Sequence, residues 1–100
     1  MFGLRNNGPK RQASRLVARF TARGKTLATA ESLTGGLIGS MITAVPGSSA
    51  AYWGGFVTYA VDAKVRLLGV DPECVRKYGV VSAETATAMA LGALRAGPTD

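Results

Sequence analysis

The chemistry this chain can do is limited first by what it lacks: it has no histidine. That excludes the usual general base, the usual zinc ligand and any Ser-His-Asp triad. A serine nucleophile then needs another base. Lysine serves when burial lowers its pKa from about 10.4 toward roughly 7 to 8, and serine–lysine pairs are a recognised form of nucleophilic catalysis. Of the four lysines, Lys10 and Lys25 lie in or beside a basic arm, and Lys77 falls in a short helical stretch. Lys64 stands apart, one helical turn beyond a strand-like run that ends near Tyr59. Ser32 stands where an alternating run, Thr26 to Ala30, meets the turn Glu31-Ser32-Leu33-Thr34-Gly35-Gly36. If the two strands are parallel neighbours, Ser32, Tyr59 and Lys64 share one carboxyl edge, where α/β sheets place ligands. Spacing alone leaves a plainer alternative open. In it Ser32 only caps a helix, Tyr59 is a strand-end aromatic and Lys64 is a solvated helix residue.

The elements that must position these residues follow from periodicity and stop signals. Leu16, Val17 and Phe20 share one face of a helix over residues 10–23, with Arg15, Arg19 and Arg23 on another and Gly24 as its stop. The first strand starts at Thr26. A second helix starts near Gly35 or Gly36, and its stripe Leu37, Ile38, Met41, Ile42 and Val45 should face a core until Pro46-Gly47 ends it. The second strand is expected over Gly54 to Ala60. Asp62 is expected to cap a short helix closed by Gly69, and Asp71-Pro72 to start another that stops at Gly79. Ser82 caps a last helix, Ala83 to Ala96, whose apolar face is Ala86, Met89, Ala90, Ala93 and Leu94. The order is that of an α/β domain. Two strands alone make a poor sheet, so the sheet is expected to be incomplete or finished by a partner chain.

Composition narrows the class. Apolar residues make up 47% of 100 residues, which suits one globular domain. The net charge of +6 is concentrated: Arg5, Lys10, Arg11, Arg15, Arg19, Arg23 and Lys25 include no acid among them. From Thr26 onward five basic residues face six acidic ones. A basic arm can serve nucleic acid, a membrane surface or an organelle address, and the expected reading is a loose basic leader, residues 1–11, followed by a solvated helix face. Neither nucleic acid nor a membrane is expected as a partner. The single cysteine, Cys74, fits a reducing compartment as a small half-buried residue. With no secretory signal pattern, the expected location is cytoplasmic.

Several runs in order give a more specific signal: Thr29-Ala30-Glu31-Ser32-Leu33-Thr34-Gly35-Gly36, then Val45-Pro46-Gly47-Ser48-Ser49, then Gly55-Phe56-Val57-Thr58-Tyr59 with Lys64, then Leu68-Gly69-Val70, then Tyr78-Gly79-Val80-Val81-Ser82. Together they resemble the CinA C-terminal domain family over about residues 12–96. The resemblance implies a three-layer α/β/α sandwich. It also implies a nicotinamide-nucleotide amidase, converting nicotinamide mononucleotide to nicotinic acid mononucleotide and ammonia with no cofactor or metal. It implies Ser32 as nucleophile, with Lys64 and Tyr59 as catalytic partners. N–H groups of Thr34, Gly35 and Gly36 are then candidates for contact with an oxyanion or phosphate. Leu33 departs from the cysteine or small residue that many relatives carry. Relatives also continue past the alanine-rich helix, so residues 12–100 are expected to be the N-terminal two-thirds of the domain. The expected partner is the small-molecule nucleotide substrate, with a second copy of this chain as a further candidate. The alternative is an inactive truncated fragment or a partner-dependent interaction module.

Overall fold

A computed structural model describes residues 8–100 of the chain. It has five α-helices and two strands: α1 Pro9–Ala22, β1 Leu27–Glu31, α2 Leu37–Thr43, β2 Tyr52–Val57, α3 Val61–Leu68, α4 Pro72–Tyr78 and α5 Ala83–Ala96, with a 3-10 turn at Ser48–Ala50 before β2. The strands pair in parallel, Thr29 opposite Gly55 and Glu31 opposite Val57, with an irregularity between Leu27 and Ala28. Parallel pairing requires a crossover, and α2 supplies it.

Alternation of side chains along β1 divides the core between two faces. On one face Val17 of α1, Ile42 of α2 and Ala51 are buried together, with Phe20, Leu27, Val45 and Tyr52 packed against them. On the other, Leu68, Val70, Val75, Met89 and Ala93 from α3, α4 and α5 form a second cluster that touches Ala30 and Phe56. The result is the expected three-layer α/β/α arrangement, with a sheet of two strands.

Local signals explain most boundaries. Asp71 accepts from the Glu73 N–H and Ser82 Oγ from the Thr85 N–H, so both expected caps are made. Gly69 ends α3 in the left-handed region at φ 65°. Three expectations are corrected. The residue before α3 is Ala60, and Asp62 lies in the first turn, where it pairs with Arg66 at 2.8 Å. β2 begins two residues earlier than Gly54, because pairing with β1 decides it rather than the entry glycines. The expected stripe faces the core only in part: Ile42 is buried and Met41 and Val45 are half-buried, but Leu37 at 57% and Ile38 at 40% are exposed, because α2 has only seven residues.

The expected face of α5 is split in two. Met89 and Ala93 are buried against α3 and α4. Ala86, Ala90 and Leu94 instead line a groove of about 340 Å³ beside β1, shared with Phe20 and Leu27. That groove runs along the edge of β1 that β2 does not pair. At its end, the Asp100 N–H donates to the Thr26 carbonyl and the Thr26 N–H to the Asp100 carboxylate, each at 3.0 Å. Of the expected leader, residues 9–11 are the first turn of α1 and residues 1–7 lie outside the described residues.

Candidate active site

β1 and β2 end side by side. The Thr58 N–H donates to the Glu31 carbonyl at 2.8 Å, one step beyond the last paired residues. The residues that follow, Ser32 after β1 and Thr58-Tyr59 after β2, therefore emerge together at the carboxyl edge. α3 starts at once from this edge, and Lys64 on its second turn reaches back beneath it. The Lys64 side chain is fully buried, at 0% exposure.

The Lys64 amine has three partners, and their number matters. In the ammonium form it donates to Ser32 Oγ at 2.9 Å, to the Thr58 carbonyl and to the Tyr59 carbonyl at 3.2 Å. In the neutral form it has two N–H groups and one lone pair. The two carbonyls can accept only, so they hold the two N–H groups. The lone pair is then left for the Ser32 hydroxyl to donate to. This is the geometry a general base needs. Burial pushes the Lys64 pKa below its ordinary value of 10.5. Among the described residues no carboxylate pairs with Lys64 to oppose that shift.

Ser32 and Lys64 are thus brought together, across a sequence separation of 32 residues. Tyr59 joins them differently from the expectation. Its backbone carbonyl holds Lys64, while its side chain is 75% exposed and its phenol makes no hydrogen bond to Lys64. The peptide geometry of the β2–α3 junction turns the carbonyl inward and the ring outward.

The glycine turn also differs in part. Gly35 at φ 63° and Gly36 at φ 102° occupy left-handed conformations that admit the sharp reversal into α2. The Gly35 N–H is already used, donating to the Ser32 carbonyl at 3.0 Å. The N–H groups of Thr34 and Gly36 have no backbone acceptor among the described residues, and they remain the candidates for an incoming oxyanion. The first amides of α2 are not candidates. The Glu31 carboxylate accepts from the Ile38 N–H at 2.7 Å and the Gly39 N–H at 2.9 Å, and from Thr34 Oγ1 at 2.8 Å. Burial pushes the Glu31 carboxyl up, but hydrogen bonds from Gly39, Ile38, Thr34 and Thr29 outweigh it and hold the pKa below 4.5.

Sequence reasoning gave Glu31 no role. The available signal was its place: an acid at a strand end three residues before a threonine and seven before a helix amide. A cavity of about 200 Å³ opens beside Ser32, walled by Leu33, Thr34, Ile38, Val80 and Val81. Its lining is mostly apolar. Among the described residues, no three His, Cys, Asp or Glu side chains are grouped to hold a metal ion.

Comparison with known proteins bears on the family and the fold. The sequence model of the CinA C-terminal domain matches residues 10–100. A CinA-like protein of Cyanothece sp. is 51% identical over 80 residues, 80% of this chain and 19% of the relative. The crystal structure of a competence-damaged protein (CinA) superfamily protein from Escherichia coli superposes with a TM-score of 0.91 at 34% identity, covering 95% of this chain and 55% of that one. The competence/damage inducible protein CihA from Agrobacterium tumefaciens gives a TM-score of 0.85 at 44% identity, over 92% and 56% of the two chains. This chain therefore spans about a fifth of the length of its curated relatives and a little over half of the solved structures.

Proposed function

The chain belongs to the CinA C-terminal domain family, and on that premise we propose that it is a serine–lysine amidase acting on the carboxamide of nicotinamide mononucleotide. One observation carries the reading: a fully buried lysine, its N–H groups held by two backbone carbonyls, 2.9 Å from a serine hydroxyl at the carboxyl edge of the sheet.

The steps follow from that geometry. Neutral Lys64 takes the Ser32 proton as Oγ attacks the carboxamide carbon. The oxyanion that forms is met by the Thr34 and Gly36 N–H groups. Lys64, now an ammonium, returns its proton to the departing nitrogen, and ammonia leaves. The acyl ester on Ser32 is then hydrolysed by water, whose proton Lys64 accepts and passes back to Oγ. The products are the carboxylate and ammonia. The family resemblance, rather than the position of its ring, gives Tyr59 a part in passing the Lys64 proton to the leaving group. The apolar cavity beside Ser32 supports a flat aromatic carboxamide as the group that enters. The nucleotide part of the substrate rests on the family resemblance of the motifs.

The test is ammonia release from nicotinamide mononucleotide by the folded chain. Ser32→Ala and Lys64→Ala should each abolish it. No turnover by folded wild-type protein counts against the reading. A second reading, a partner-dependent module, is favoured by the groove along the unpaired edge of β1. A monomer in light scattering, with a cooperative thermal transition, would exclude it.

A further inference from the structure

We infer that Glu31 is a positioning residue for Ser32, its buried carboxylate clamping the turn that carries the serine onto the first turn of α2. The inference deepens the proposed amidase reading and rests on Ser32 being its nucleophile.

Other groups hold the Ser32 turn only in part. Leu33, the next residue, is 70% exposed and gives the turn no apolar anchor. The turn is closed by two backbone bonds, Gly35 N–H to the Ser32 carbonyl and Leu37 N–H to the Thr34 carbonyl. Lys64 meets Ser32 Oγ itself at 2.9 Å, and the other side-chain ties of the turn converge on Glu31, which is 4% exposed. Its carbonyl fixes the end of β1 to Thr58. Its carboxylate accepts from Thr34 Oγ1, on the far side of Ser32, and from the Ile38 and Gly39 amides of α2. Ser32 therefore sits inside a small ring closed by the Glu31 side chain and the Thr34 hydroxyl. An orientation error of about 1 Å at a nucleophile costs up to roughly 100-fold in rate, so a ring of this kind bears directly on turnover.

The space around the carboxylate is shaped for it. A Cβ on Gly39 would stand 3.2 Å from Glu31 Oε2 and 2.8 Å from the Tyr52 hydroxyl. Tyr52 in turn is 2.7 Å from Thr29 Oγ1, on the same face of the sheet. Gly55 is equally constrained, since its Cβ would overlap Thr29 Oγ1 and lie 2.7 Å from the Tyr52 hydroxyl. Two glycines thus leave room for a polar cluster between the sheet and α2. The Thr34 hydroxyl and the Ile38 and Gly39 amides all meet the Glu31 oxygens as donors. A carboxylate accepts from all of them. A glutamine has one acceptor oxygen, and its amide nitrogen would face a donor.

The test uses Glu31→Gln in the full chain, with Thr34→Val as the milder variant should the first fail to fold. Three readouts are taken: exchange rates of the Ile38 and Gly39 amide protons by NMR, the rate at which a fluorophosphonate probe labels Ser32, and kcat and KM on nicotinamide mononucleotide. In folded Glu31→Gln, exchange at Ile38 and Gly39 should accelerate about tenfold. Labelling and kcat should both fall by about tenfold or more, with KM held within about threefold. Thr34→Val should shift the same readouts in the same direction by less. A folded Glu31→Gln variant with unchanged labelling, or with unchanged exchange at both amides, overturns the clamp. A wild-type chain that takes the label at Ser32 but releases no ammonia overturns the substrate reading, and the clamp is then decided by labelling and exchange. A wild-type chain that takes no label at Ser32 overturns both.

Discussion

Replacing Gly92 by alanine sets two effects of one residue against each other. In the interior of a helix, glycine is less stable than alanine by about 1 kcal/mol, so by sequence alone Gly92→Ala should stabilise α5. The structure predicts the reverse. A Cβ at Gly92 would overlap the Leu68 carbonyl oxygen and stand 2.8 Å from Leu68 Cβ and 2.9 Å from its carbonyl carbon. Carbon atoms pack at about 3.5–4.0 Å, so α5 and α3 must part by several tenths of an ångström at least. The obstructing atoms are backbone and Cβ, and no rotamer change relieves them. The cost therefore belongs at the upper end of the overpacking range, about 3 kcal/mol. The helix gain offsets about 1 kcal/mol of it, leaving a net loss near 2 kcal/mol. For a domain of this size each kcal/mol shifts Tm by about 4–8 °C, so circular dichroism melting should show a fall of about 8–16 °C. Lys64 rides on α3, so turnover per folded molecule should fall as well. An unchanged or raised Tm would refute the reasoning, because it would mean that the α3–α5 crossing yields without cost.

Other expectations test the site more directly. Thr58 Oγ1 is buried without a hydrogen-bond partner among the described residues; Thr58→Val removes that hydroxyl at nearly constant shape, and chemical denaturation should show stability unchanged or raised by about 1 kcal/mol. Glu31 has a folded pKa held below 4.5, so its contribution to stability is complete above that value and is lost as pH falls through the folded pKa; melting curves from pH 6 downward should show a steeper loss in wild type than in Glu31→Gln, and parallel curves would contradict the assignment. Turnover should rise with pH as Lys64 loses its proton, with a midpoint below 10.5; a pH–rate profile flat across that rise would remove lysine as the base. Tyr59→Phe leaves the carbonyl that holds Lys64 in place, so Ser32 labelling should persist while turnover falls by about 100-fold; equal loss of both would place the phenol in serine activation instead.

Much of the framework was legible because it rests on local chemistry. Asp71-Pro72, Ser82 and Gly69 act through their own side chain or their own φ, and each sets the boundary it was expected to set. Errors arose where a distant strand or helix overrides local preference. Asp62 has the chemistry of a cap, but the chain leaving β2 places Ala60 at that position. The apolar residues of α2 satisfy a helical period, yet the short helix buries only Ile42 among them.

The same division runs through the site. By itself the sequence determined the cast: with no histidine, a serine nucleophile must look to lysine, and Ser32 and Lys64 stand where a strand gives way to a helix. Only the tertiary structure decided what these residues meet. Parallel pairing of β1 with β2 sets Ser32 beside the Thr58 and Tyr59 carbonyls, and burial with three partners turns an ordinary lysine into one whose lone pair can face a hydroxyl. Tyr59 presents its backbone there and its ring to solvent. Glu31 gains its place because the fold brings the first amides of α2 to the end of β1. Local sequence specifies which groups are available. The distances between groups far apart in the chain, and the loss of water around them, exist only once the layers have packed.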